Sequence, residues 1–180
     1  MLKANNKMRI TGILFLIIIS VLLLANSMSK PVSRDENMYT TAPYLMADGK
    51  VIYRDFAYPS QLPYHPLICS LLYKITSSSK YLLQTRLFSV VCDILIVLCI
   101  FFIYLQLLDR ERISSLFLAC SAVVFYLFNP LVDYALGYGW NHDLVILCVT
   151  VSFWLFLNID NRKQRCCIFA ALTGALLAIA

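Results

Sequence analysis

Residues 10–25 read ITGILFLIIISVLLLA, sixteen positions almost without a polar atom. A helix needs about 20 apolar residues, within a range near 17–25, to cross the hydrocarbon of a bilayer. This run and its flanks therefore decide most of what the chain can become. Four further apolar stretches follow, at about 82–107, about 113–130, about 143–158 and 166–180, the first stretch being 10–26. The one at 82–107 is comfortably long, while those at 10–26, 113–130 and 143–158 reach full length only by extending into interfacial residues. The last ends in GALLAIA with no polar flank, which leads us to expect the front part of a longer protein. Composition agrees with insertion in a membrane: 61% of residues are hydrophobic and 14% charged, against about 45–50% and about 25% in average globular chains. The expected fold is all-α, a polytopic membrane helical bundle with a long external first loop at about 27–81 carrying short interfacial helices. The first stretch has a second reading as a signal peptide, because Lys3, Lys7 and Arg9 precede it and Ala25-Asn26-Ser27 loosely resembles a cleavage site. A retained helix is favoured, since the run is long for such a peptide.

Orientation follows from Lys and Arg in the short turns. The N-terminus carries three basic residues, the turn at 109–112 carries Arg110 and Arg112, and the turn at 160–165 carries Arg162, Lys163 and Arg165. This places the N-terminus and both turns in the cytoplasm and puts 27–81 and 131–142 outside, as in a multi-pass protein of the plasma (inner) membrane. The net charge of +5 is scattered among apolar blocks, which fits topology signalling and not a nucleic-acid partner. The seven cysteines are odd in number, form no CxxC pair and lie mostly in apolar runs. They read as small buried residues, with S-acylation of Cys166 and Cys167 as an alternative.

The external loop has local structure of its own. Ser33-Arg34-Asp35-Glu36 fits a capping box, predicting a helix from there to about Asp48 with Gly49 just beyond its end. Pro43 is expected to kink or split it. Tyr39, Ala42, Leu45 and Met46 form an apolar side that could lie on the membrane surface. Pro59, Pro63 and Pro66 exclude a continuous helix before about residue 66, and a second short helix is expected near 67–76. Tyr53, Phe56, Tyr58, Tyr64 and Tyr73 suit the headgroup level, where aromatic rings are enriched.

The pattern of a first membrane helix, then Asp35-Glu36, Tyr39, Ala42, Gly49, Tyr53-Arg54-Asp55 and a proline-rich run ending in His65-Pro66-Leu67 resembles the start of GT-C-class glycosyltransferases. The similarity is to the group of protein O-mannosyltransferases and aminoarabinose-to-lipid-A transferases. Arg86, opening the second long stretch, and Asn141-His142-Asp143, opening the fourth, are similar too; Pro43 departs from the pattern. The resemblance implies an enzyme that takes a sugar from a polyprenyl-phosphate carrier and passes it to a protein, lipid or glycan acceptor at the external membrane face. It implies that Asp35 is the catalytic carboxylate with Glu36 in support, and that Asp143 is a second acid.

Glycosyl transfer needs a base for the acceptor proton and a positive environment for the departing phosphate. Asp35 and Glu36 are the catalytic candidates. Adjacent helical residues point about 100° apart, so Asp35 is expected to face the site and Glu36 to hold the loop. Candidate substrate-binding residues are Tyr39, Arg54, Asp55, His65, Arg86, His142 and Asp143, with Lys50 beside them; Arg suits phosphate through its planar fork. Asp35, His142 and Asp143 could hold a divalent cation, Mg or Mn. Each also has a plain structural role: Asp35 as a first-turn acid, Asn141 or Asp143 as a helix cap, and Arg86 as an interfacial anchor. Asp93 lies inside the second long stretch, nearly on one face with Arg86, and reads as a polar contact within the bundle. Two other functions compete with the enzyme: a transporter subunit, which predicts charged or broken helices near the midplane, and a non-catalytic scaffold or truncated remnant.

Overall fold

A computed structural model describes residues 2–58, 62–108, 113–158 and 166–179. Among them are eight helices and no strand. They are α1 (Leu2–Ser29), α2 (Arg34–Ala47), α3 (Tyr64–Thr76), α4 (Tyr81–Leu107), α5 (Ile113–Leu127), α6 (Pro130–Ala135), α7 (His142–Leu157) and α8 (Cys166–Ile179). The basic turns at 109–112 and 160–165, and Pro59, lie outside the described residues. Two helical segments, Asn6–Ser29 and Tyr81–Leu107, are long and apolar enough to cross a membrane.

The long helix α4 is the hub, packing against α1, α2, α3, α5 and α7, while α7 also packs on α8. Leu23 of α1, Val97 and Phe101 of α4, Ala119 and Val123 of α5 and Leu136 form one buried cluster. A second cluster joins Tyr39 and Ala42 of α2 to Tyr58 and Trp140. It is roofed by α2 and α3, which touch the first turns of α4: Tyr73 hydrogen-bonds with Thr85, and the His65 and Phe88 rings lie 5.8 Å apart.

Local chemistry explains the helix ends. Ser33 caps α2 as expected: its hydroxyl accepts from Asp35 N at 3.2 Å, and Ser33 N donates to Glu36 Oε2 at 3.3 Å. At the other end Gly49, at φ +89°, closes the helix. Gly49 N donates to Met46 O and Lys50 N to Leu45 O, which supplies partners for carbonyls that would otherwise be orphaned. Pro43 does not split the helix; α2 runs through it. An interior proline removes one N–H bond and crowds the carbonyl four residues back, a cost offset here by burial of the ring. The second loop helix begins at Tyr64, earlier than expected, and takes in Pro66. First-turn N–H groups have no partner inside a helix, so a proline there removes nothing. The apolar side of α2 is turned inward: Tyr39 and Ala42 are buried, as are Tyr58 and Tyr73, while Tyr53 stays exposed. The rings expected at headgroup level thus divide between core and surface. Two further differences concern 113–142. The helix of the third stretch ends at Leu127, and α6 occupies part of the expected loop, capped by the Asn129 side chain with Pro130 in its first turn.

Candidate functional site

The acid pair of the first loop divides. Glu36 is fully buried and Asp35 is exposed, as the angle between adjacent helical residues requires. Glu36 meets Arg86 of α4 in a two-pronged ion pair, with Nε donating to Oε1 at 2.7 Å and Nη2 to Oε2 at 2.9 Å. Gly139 N donates to Oε1 at 2.9 Å and Ser33 N to Oε2 at 3.3 Å. A carboxylate offers about four acceptor sites, and here each is used. The guanidinium is spent as well: Nη1 donates to Ser27 O and Lys30 O, both at 2.9 Å, and Nη2 to Pro31 O at 3.0 Å. Arg86, expected as a phosphate contact or an interfacial anchor, turns all five donors inward. Its partner is Glu36 and not Asp93.

This junction ties the end of α1, the start of α2, the start of α4 and the loop before α7. Burial opposes ionisation of Glu36, but hydrogen bonds from Arg86, Gly139 and Ser33, with the Arg86 charge, outweigh it and hold the carboxyl below its usual range. Further ties surround it. Ser27 Oγ donates to Gly137 O at 2.8 Å, Asn26 Nδ2 to Leu136 O at 3.3 Å and Lys30 Nζ to Asp133 O at 3.1 Å. The segment that resembles a cleavage site is thus built into the fold. Gly137 is required there: its φ is +88°, and a Cβ would come within 2.9 Å of Asn26 Nδ2 and 3.1 Å of Ser27 Cα.

The remaining expected residues fall into separate groups. Asp35 stands on the outer side of the α2 N-terminus. Its backbone N–H is used by the cap; its carboxylate has no hydrogen-bond partner among the described residues. A groove of about 300 Å³ runs beside α2 from Asn37 to Leu45 and against Phe56–Tyr58. It lies within the first loop, and Asp35 is not one of its lining residues. Arg54 and Asp55 form a two-pronged pair at 2.9 Å on an exposed turn, and Val51 N donates to Asp55 at 2.7 Å. Arg54 first, then Val51 N–H, lowers the Asp55 carboxyl, and Asp55 raises Arg54 in turn. The Arg54 side chain remains 70% exposed, so it can still meet a ligand. Tyr39 and His65 meet edge to face at 5.8 Å inside the fold. His65 Nε2 lies 3.6 Å from Cys69 Sγ, and burial lowers the imidazole to about 4 and pushes the Cys69 thiol up to about 12. His65 is thus a neutral ring of the core layer.

His142 is exposed beside the Trp140 ring, 5.6 Å away, while Asp143 is buried. Asp93 of α4 is buried as well, and the two carboxyls act on each other electrostatically. One oxygen of each acid, Asp93 Oδ2 and Asp143 Oδ2, lacks a hydrogen-bond partner. Asp35, His142 and Asp143 therefore do not converge on one point suited to a cation, and the described residues form no group of three or more metal-ligating side chains. Sequence reasoning missed the pairing of Asp93 with Asp143. The available signal was an acid within an apolar helix, which demands a polar neighbour.

Comparison with known protein families, curated proteins and solved structures gave no match.

Proposed function

We propose that this protein is a multi-pass membrane glycosyltransferase that moves a sugar from a polyprenyl-phosphate carrier to an acceptor at the external face, with Asp35 as its base. The observation that carries the reading is the division of the Asp35-Glu36 pair. One acid is locked into a saturated buried junction, and its neighbour is held outward with an unspent carboxylate. A reactive group benefits from a rigid support whose own bonds are complete. Insertion in a membrane is supported by α1, where Ile13, Ile17 and Val21 are each more than half exposed. A contiguous apolar face of this kind is a liability in water and at home in lipid.

Asp35 takes the proton of the acceptor hydroxyl as its oxygen bonds to the anomeric carbon. The bond from that carbon to the carrier phosphate breaks, and the phosphate leaves with the electron pair. Arg54 and Lys50 are two of the exposed cations of the loop and are assigned to meet that charge. Glu36 and Arg86 are positioning residues. No step is assigned to a divalent cation, because the residues named for one do not fit it. Asp35→Asn keeps size and can still serve in the first turn. In membranes supplied with a polyprenyl-phosphate sugar, the variant should lose transfer by roughly 10²–10⁴-fold with its helical content intact. Normal transfer by a well-folded Asp35→Asn protein would sink the assignment.

A second reading, a transporter subunit, is favoured by Asp93 and Asp143, since buried acids in a membrane bundle are marks of ion or proton pathways. It predicts ion flux in proteoliposomes that Asp93→Asn abolishes and Asp35→Asn leaves untouched.

A further inference from the structure

The end of the bundle away from the Glu36–Arg86 junction holds a cavity of about 590 Å³. Arg9, Gly12, Ile13 and Leu16 line it from α1, spaced so that they share one helix face. Phe101, Phe102, Leu105 and Gln106 line it from the last turns of α4, and Trp154 and Asn158 from the end of α7. The walls are mostly aliphatic and aromatic, and the polar residues sit toward one rim. There Gln106 and Asn158 satisfy each other, Gln106 Nε2 donating to Asn158 Oδ1 at 3.2 Å and Asn158 Nδ2 to Gln106 Oε1 at 3.3 Å. Arg9 is exposed and is the charged residue among the described lining residues.

The geometry points to a site for an anionic phospholipid, its acyl chain in the cavity and its phosphate on the Arg9 guanidinium. This rests on the membrane reading above, in which the N-terminal end of α1 faces the cytoplasm. Three observations meet at one place. The cavity is lined mainly by apolar side chains and lies at the end of α1, α4 and α7 that the membrane reading turns toward the cytoplasm. Its rim amides are already paired, so the charge complementarity comes from Arg9, whose planar fork matches phosphate oxygens. The leaflet on that side is the one that carries anionic headgroups, and a basic residue near such a surface contributes about a fivefold preference. A zwitterionic lipid would fill the same space without that preference.

The two tryptophans of the chain provide the test, since Trp154 lines the cavity and Trp140 lies at the junction end. In a Trp140→Phe protein reconstituted in vesicles, quenching of Trp154 by chain-brominated phosphatidylglycerol is compared with quenching by chain-brominated phosphatidylcholine. Phosphatidylglycerol should reach half-quenching at about one fifth of the phosphatidylcholine level. Arg9→Gln should bring the two curves together, and Leu16→Phe with Leu105→Phe, which fills the cavity, should remove the selective component while circular dichroism shows the helices retained. Equal curves in the parent, or a preference that survives Arg9→Gln, would overturn the inference and leave the transferase reading standing. Quenching by neither lipid would overturn it together with the membrane reading.

Discussion

The two ends of the bundle are built on opposite terms. At one end, α1, α2, α4 and the 137–140 loop meet in a buried ion pair whose donors and acceptors are all used. At the other, the same α1 and α4 diverge around a cavity of about 590 Å³ lined mainly by apolar side chains. Buried charge tolerates little geometric error, because an unpaired partner costs several kcal/mol, whereas apolar walls can separate and be filled by something else. The contrast teaches where the protein holds a fixed shape, beside Asp35, and where it has room for a guest.

Breaking the junction should have the largest effect. Glu36→Gln or Arg86→Met leaves a buried partner uncompensated and should cost about 3–5 kcal/mol, read as a fall in unfolding free energy in detergent. The double variant should cost clearly less than the sum of the two, which a double-mutant cycle measures. Gly137→Ala should cost about 3 kcal/mol, since it combines a positive φ with backbone contacts near 3 Å that cannot give way. Acidification should come next. His65 is neutral in the fold and lowered to about 4 by burial, so the unfolded chain binds more protons below its ordinary value of about 6.5. Stability should therefore fall as pH drops through the window from about 6.5 to about 4, by about 2 kcal/mol between pH 7 and pH 5, and His65→Phe should abolish that dependence. Glu36 acts with the same sign but in a lower window, its carboxyl being held below its usual range. Its contribution is present above the usual glutamate range and is lost only as pH falls below it, so the two are separable by pH alone. The smallest effect belongs to the open end. A Cβ at Gly12 would meet only side-chain ends, Phe101 Cζ at 3.2 Å and Leu116 Cδ1 at 3.3 Å. Alanine there also favours the helix, so Gly12→Ala should change unfolding free energy by within about 0.5 kcal/mol.

Signals that act within a few residues were legible in the sequence. The Ser33 cap, the closing Gly49, two loop helices and long apolar helices near the expected positions all depend on neighbours along the chain. Residues 35 and 36 were separable on helical geometry alone, and the assignment of Glu36 to holding the loop agrees with its place in the junction. Pairings across the chain were not legible. Arg86 lies fifty positions from Glu36, and no periodicity selects that partner over Asp93, seven positions along the same helix. The direction of the α2 apolar side was hidden for the same reason: spacing shows that a side exists, not whether lipid or protein covers it. The helix α6 was announced by Asn129-Pro130, a cap followed by a first-turn proline, but its six residues are too few for a periodic pattern.

In the proposed reading the two ends face opposite sides of a membrane, with Asp35 outside and Arg9 inside. Both side chains are exposed in the fold, so accessibility can report on the membrane and not on packing. In a background lacking the native cysteines, Asp35→Cys and Arg9→Cys are each treated with a membrane-impermeant thiol reagent in intact cells and again after permeabilisation. The account predicts that Asp35→Cys labels in intact cells and that Arg9→Cys labels only once the membrane is opened. Labelling of Arg9→Cys in intact cells with protection of Asp35→Cys would contradict it.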